Sequence, residues 1–262
     1  MGRAKEIIVR VIPSKIANEF VKKHHYSGKV VNNSSLHFGC FLDGEMHGVM
    51  SYGNPLDKRK ILPLVYPCLW NEMLELNRMA FDECLPKYSE SRCIAVSIKL
   101  LKRNAPHIKW ILTYSDGAQC GDGTIYRASG FKLTKIEQNN AMWKMKDGKI
   151  FCHLVFSNNQ APALKYGKGK NISSFKFLRL VGAEKLIGFQ LRYIYLIDKS
   201  CKITVPILPF SKIDEMGAGI YKGVKITLAE RQKCDKSVTV AQQASSLKEG
   251  FESTLSLKVS EI

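Results

Sequence analysis

The spacing of apolar positions changes several times along the chain, and each change marks an element. EIIVRVI (6–12) concentrates β-branched residues and predicts a strand. Pro13 and Ser14 then open a helix whose apolar residues Ile16, Ala17, Phe20 and Val21 fall on one face, with Gly28 ending it. LHFGCFLDGEMHGVMSYG (36–53) predicts two strands around the turn pair Asp43-Gly44. Residues 58–72 are interrupted by proline and read as loop. Residues 72–82 read as a strand, with Leu74, Leu76 and Met79 apolar. After a loop at 85–91, RCIAVSIKLLKRNAP (92–106) predicts a helix with Ile94, Ala95, Ile98 and Leu101 on one side and Pro106 as its stop. KWILTYSD (109–116) predicts a short buried strand, and GDGTIYRASGF (121–131) a short helix ending at Gly130. KLTKIEQ (132–138) and AMWKMKDGK (141–149) predict further strands.

The order over residues 1–150 is therefore β-α-β-β-β-α-β-α-β-β, which predicts a mixed α/β fold with a central mixed sheet flanked by helices. Beyond residue 150 the pattern weakens. Residues 173–186 predict a helix, QLRYIYLID (190–198) a strand, and 209–223 an irregular glycine-rich stretch. We expect residues 1–150 to form the main domain and 151–226 a β-containing C-terminal extension packed on it. The polar run 227–262 reads as a flexible tail.

Composition narrows the function. Over 262 residues the formal charge is +17, which favours a polyanionic partner through counterion release, with nucleic acid as the leading class. No apolar run approaches the roughly 18–20 residues of a membrane helix, and the first residues lack the apolar core of a secretory signal; together these predict a cytoplasmic protein. The 8 cysteines form no C-x-x-C pair, which argues against a zinc ribbon or finger and for reduced thiols. Cys120 stands apart from them because it lies among glycines.

Three segments carry candidate chemistry. The loop KYSES leads into the helix that begins near Arg92, and a helix N-terminus presents free amides suited to phosphate; Ser89, Ser91 and Arg92 are the residues there, with ordinary capping by Ser91 as the plainer reading. The strand 109–116 ends at Asp116, at a sheet edge where ligands collect if neighbouring strands part. Tyr126 follows in the next helix. Asp116 also suits a simple turn before Gly117, and Tyr126 a core position with its hydroxyl satisfied.

The order of strand, anion loop, helix, strand, short helix and Ile125-Tyr126-Arg127-Ala128-Ser129-Gly130-Phe131 resembles the GNAT acetyltransferases. That resemblance implies acetyl-CoA as cofactor, although SRCIAV (91–96) stands where those enzymes carry a glycine-rich loop. HHYSGK, LNRMAFD, SESRCIAVSIKLL, YSDGAQCGDGTIYRASGF, QLRYIYLID and ILPFSKIDEMGAGIYKG, in that order from about residue 6 to 223, resemble the Mom family of phage DNA-modification proteins more closely. This resemblance implies conversion of adenine in DNA to its N6-carbamoylmethyl derivative, which shields DNA from host restriction. It carries His25, Tyr26, Arg78, Ser91, Asp116 and Tyr126 over as site residues. It also implies iron, for which His25 and Asp116 are the ligands, completed by His24 or water.

The roles expected are as follows. Tyr126 protonates a leaving thiolate, and Asp116 accepts the amine proton or holds the metal. Arg78 stabilises an oxyanion or phosphate, and Tyr26 stacks on or bonds to the base. Lys22, Lys23, Lys58, Arg59, Lys60, Lys165, Lys168 and Lys170 are candidates for contacts to double-stranded DNA. The rival readings are an acetyltransferase for a small amine or protein and a non-catalytic DNA-binding protein. Oligomeric state stays open, a homodimer included.

Overall fold

A computed structural model of the chain describes residues 2–25, 27–116, 121–139, 141–153, 156, 173–186, 188–221 and 224–225. In chain order, a 3₁₀ turn leads into β1 (Ile8–Val11), and Pro13 in an extended conformation opens α1 (Ser14–His24). β2 (Ser34–Leu42) and β3 (Glu45–Gly53) form a hairpin. Its two turn residues, Asp43 and Gly44, have φ of 53° and 87°, the left-handed pair that suits the twist of a two-residue hairpin. Then come α2 (Lys58–Ile61), β4 (Val65–Tyr66), β5 (Met73–Phe81), α3 (Ser89–Asn104), β6 (Trp110–Asp116) and α4 (Thr124–Ala128). β7 (Lys132–Asn139), β8 (Met142–Lys144) and β9 (Ile150–Cys152) follow, then the helix Ser174–Leu180, here α5. β10 (Glu184–Lys185), β11 (Gly188–Leu196) and β12 (Lys202–Ile203) precede α6 (Ser211–Glu215), and β13 (Ile220–Tyr221) pairs with β14 (Val224–Lys225).

Seven strands form the main sheet in the order β1-β2-β3-β5-β6-β11-β7. Only β5 and β6 run parallel; the other pairs are antiparallel. β11 lies between β6 and β7, pairing with both. The boundary expected near residue 150 therefore does not divide the sheet, because a strand from the expected extension completes it. The segment between β7 and β11 contributes a separate small sheet, β10-β8-β9, and its own core of Trp143, Met145, Phe156, Phe177 and Leu178. Residues 227–262, read above as a tail, lie outside the described residues.

The sheet is covered on both faces. Val49 and Met50 are successive in β3, and alternation sends them to opposite sides. Val49 packs with Ala17, Phe20 and Val21 of α1. Met50 packs with Cys93, Ile94, Ile98 and Leu101 of α3 and with Tyr126 of α4. Next to α1, Leu64, Val65, Met73, Trp110, Leu112, Ile194 and Cys201 form a further apolar cluster. The indole of Trp110, fully buried, donates to Cys68 Sγ at 3.0 Å.

One break in this regularity positions the site. β5 pairs with β6 only from Met73–Leu76 against Trp110–Thr113. Beyond that, β5 stays with β3 and β6 stays with β11. Along the β3 side the register steps from Tyr52↔Leu76 to Ser51↔Arg78, so Asn77 is the extra residue of a bulge. A bulge bends its strand, and here it bends β5 away from β6.

Candidate functional site

The parted strands open a slot at their C-terminal ends. On the α1 side, alternation places Glu75 of β5 in the same face as the buried Met73. Tyr114 and Asp116 follow Leu112 along β6 in steps of two, and the register sets Tyr114 opposite Arg192 and Asp116 opposite Gln190 of β11. Glu137 of β7 faces Gln190 in turn. A polar row thus continues the apolar floor of Trp110, Leu112 and Ile194.

The charges in this row are coupled. Burial pushes the Glu75 carboxyl up to about 7, with Arg78 pulling the other way. Burial also raises the Tyr114 phenol, and Glu75 adds to this while Arg192 opposes it. Arg192 is itself lowered by burial, and its Nε donates to Thr134 Oγ1 at 3.0 Å. At the end of α1, burial and then Arg78 hold the His25 imidazole down at about 4. The backbone N–H of Ser27 donates to His25 Nδ1 at 3.1 Å, which leaves the ring proton of the neutral form on Nε2. Arg78 Nε donates to Lys29 O at 3.0 Å and Nη1 to Asn77 O at 3.2 Å, tying the chain after α1 to the bulge. Asn77 Oδ1 accepts from Ser34 Oγ at 2.8 Å, while its Nδ2 is buried without a hydrogen-bond partner among the described residues.

The opposite face of the sheet is covered by α3. Its N-cap is Tyr88, left-handed at φ 71° and without a side-chain cap bond. The helix begins three residues before Arg92, so Ser89 and Ser91 lie inside it. Their hydroxyls return to the chain, Ser89 to Pro86 O and Ser91 to Tyr88 O. The first-turn amides consequently lack a side-chain cap, the condition under which a helix start accepts an anion. The Nε of Arg92 is buried there with no hydrogen-bond partner among the described residues.

Of the residues selected from sequence, His25 and Arg78 lie together, and Asp116 shares their side of the sheet, half-buried at the end of β6. Ser89, Ser91 and Arg92 form the start of α3. Tyr126 sits on the α3 side, 9% exposed, its ring 5.7 Å from Phe131 and 5.5 Å from Tyr193. Tyr126 and His25 are therefore on opposite faces, with the slot between them. Tyr26 lies outside the described residues, as do Lys165, Lys168 and Lys170. Lys58 is not a free surface cation: it is 8% exposed, donates to Asn54 Oδ1 at 2.9 Å and stands 5.1 Å from the centre of the Trp70 ring. Arg59 and Lys60 are exposed.

The fit of a metal to His25 and Asp116 can be tested on the side chains. With Nδ1 engaged by Ser27, His25 would ligate through Nε2. Two protein ligands are few, and among the described residues the one group of three convergent His, Cys, Asp or Glu side chains lies elsewhere. The described residues do not complete an iron centre on this pair. Sequence reading passed over Glu75, Tyr114 and Arg192. The signal was present for two of them: Glu75 stands between Leu74 and Leu76, and Arg192 between Leu191 and Tyr193, in strands that are otherwise apolar.

A family model described as the Mom protein family matches residues 6–212. "Methylcarbamoylase mom" of Escherichia phage Mu is 33% identical over 202 residues, spanning 76% of this chain and 79% of its own. Solved structures with similar folds include a putative phosphinothricin N-acetyltransferase, with a TM-score of 0.43 and 9% identity over 74% of this chain and 99% of that one. Another is the ribosomal-protein-S18-alanine N-acetyltransferase from Escherichia coli, with a TM-score of 0.41 and 10% identity over 73% and 94%.

Proposed function

The chain belongs to the Mom protein family, and on that premise we propose that it is a transferase that converts adenine in DNA to its N6-carbamoylmethyl derivative, so protecting the DNA from restriction enzymes. The observation that supports this reading is the parting of β5 and β6, with a coupled acid–base row on one face of the sheet and, on the other face, a helix whose start lacks a side-chain cap. The uncapped amides of α3, with Arg92, suit the pyrophosphate of acetyl-CoA. Bound there, that cofactor would supply an activated thioester, with Tyr126 and the polar row as the nearest groups able to exchange protons with it.

Adenine's exocyclic amine is a weak nucleophile because its lone pair is delocalised into the ring. Acyl transfer breaks one N–H bond of that amine and the C–S bond of the thioester, forms an N–C(=O) bond and releases the thiol. The carbamoylmethyl product has N–CH₂ instead, so acyl transfer alone does not complete it and a rearrangement or a different donor supplies the remainder. Glu75 is the base we assign to the amine proton: a carboxyl that titrates near neutrality is poised both to take a proton and to release it. Asp116 orients the amine, and Arg78 holds developing negative charge. His25, neutral with its proton on Nε2, is a hydrogen-bond donor to the base or to the incoming group. Tyr126 returns a proton to the departing thiolate. Ser91 completes the anion wall.

Two features support duplex DNA as the substrate. The formal charge is +17. In addition, Leu56, Leu69 and Trp70 are 97%, 71% and 53% exposed in the connections around α2, next to Arg59 and Lys60. Apolar side chains flanked by cations suit a duplex opened to release one base. The test is to express the chain in cells, digest their DNA to nucleosides and weigh the deoxyadenosine fraction. Deoxyadenosine heavier by one carbamoylmethyl group is expected, and it should vanish with Glu75→Gln and with Asp116→Ala. Unmodified deoxyadenosine from cells making soluble wild-type protein would overturn the reading.

A further inference from the structure

We propose that His47, Asp82 and Cys84 form a binding site for a divalent transition-metal ion, zinc before others, which clamps the loop between β5 and α3 to the β2–β3 hairpin. This proposal is independent of the catalytic reading above.

Backbone pairing brings the three residues together. Gly48 of β3 lies opposite Phe81 of β5, and one residue further the N–H of Asp82 donates to His47 O at 3.0 Å. The side chains then converge on one carboxylate. His47 Nδ1 lies 2.9 Å from Asp82 Oδ2, and the Cys84 N–H donates to Asp82 Oδ1 at 3.0 Å. One ligand atom from each residue lies within 4.8 Å of the others. Tetrahedral zinc with bonds of about 2.0–2.3 Å needs ligand atoms roughly 3.3–3.8 Å apart. Small side-chain rotations supply the difference, and Cys84 stands outside any helix or strand.

The donor set selects the ion. Imidazole, carboxylate and thiolate together suit borderline-soft zinc, whereas magnesium and calcium require oxygen ligands. Cys84 is exposed and His47 and Asp82 are half-buried, so an ion enters from solvent and keeps water as its fourth ligand. Asp82 first, then Glu45 and Glu83, hold the Cys84 thiol above its ordinary range in the metal-free protein. The same negative field attracts a cation. On binding, the Cys84 thiol gives up its proton to solvent, so metal uptake is accompanied by proton release. The clamped loop leads into α3, and the ion would thereby fix where that helix begins.

The experiment uses the full chain, stripped with a chelator and titrated with cobalt(II), then with zinc against a chromophoric chelator. Wild type is expected to bind one equivalent of cobalt with a thiolate-to-metal charge-transfer band. Cys84→Ser should abolish that band, and His47→Gln should weaken zinc binding at least tenfold. Asp82→Asn should weaken it as strongly, although the amide oxygen can still accept the Cys84 N–H and keep the turn. Cys120→Ser and Cys234→Ser should leave band and affinity unchanged. Circular dichroism confirms that each variant is folded. A band that survives Cys84→Ser, a band lost with Cys120→Ser or Cys234→Ser, or no band in wild type overturns the proposal.

Discussion

Replacing Glu75 by Gln should make the folded protein more stable at pH 8. The folded chain holds the Glu75 proton more tightly than the unfolded chain does, with a carboxyl at about 7 against an ordinary 4.5. Its contribution is therefore fully present below pH 4.5 and is lost as pH rises to about 7. At about 1.4 kcal/mol per pH unit the ceiling is about 3 kcal/mol, and residual solvent contact at a half-buried group brings the expected gain to about 1–3 kcal/mol. His25 acts with the opposite sign. Its imidazole titrates at about 4 against an ordinary 6.5, so its contribution is present above pH 6.5 and is lost as pH falls through 4. In wild type the two slopes oppose each other between pH 4.5 and 6.5, and their sum is nearly flat. Glu75→Gln removes one slope and exposes the other. Urea unfolding followed by tryptophan fluorescence at half-unit steps from pH 4 to 8 measures both effects. A variant no more stable than wild type at pH 8, or one with a flat profile below pH 6.5, would refute the assignment of these two groups.

Further outcomes follow from the packing and the surface. Gly123 has φ +71°, and a Cβ there would come within 2.6 Å of the Tyr193 ring; Gly123→Ala should cost at least about 2 kcal/mol in urea midpoint experiments, more than the left-handed conformation alone costs. Tyr52 is fully buried, and its hydroxyl lies 2.6 Å from Ser97 Oγ; Ser97→Ala should cost about 1–3 kcal/mol, and the double variant with Tyr52→Phe less than the two singles together. Arg59→Ala should lower DNA affinity on any sequence and flatten the plot of log K against log salt by about 1 in anisotropy titrations, whereas Lys58→Ala, at a buried position, should act on stability and leave that slope unchanged.

Local patterning made most elements legible. The Asp43-Gly44 turn is fixed by neighbours in sequence, and the structure has it. On α1, Ala17, Phe20 and Val21 are buried as expected but Ile16 is 44% exposed, and in β5 the alternation holds only to Leu76, where the Asn77 bulge interrupts it. The short helix Lys58–Ile61 was obscured by the prolines around it. α3 began earlier than Arg92 because Tyr88 takes the left-handed cap and the serines follow it inside. The insertion of β11 was not legible, since nothing in QLRYIYLID says which strands it joins. Glu75 escaped notice because a charge in an alternating strand normally faces water. Here the neighbouring strand parts and the face is a slot. Lys58 misled for the converse reason: a lysine stem can lie against an indole with its charge satisfied.

The late arrival of β11 has a consequence for biosynthesis. When the ribosome has made residues 1–139, β6 and β7 both exist, yet β6 has only β5 beside it and β7 lacks its partner, and a seam runs through the nascent fold. It stays open while the whole excursion from residue 140 to 187 is translated. Only then does one strand close both edges at once, burying Tyr193 and Ile194. Shortening or exchanging that excursion leaves the suture intact, whereas a chain cut just before Gly188 presents two raw edges to every neighbouring polypeptide.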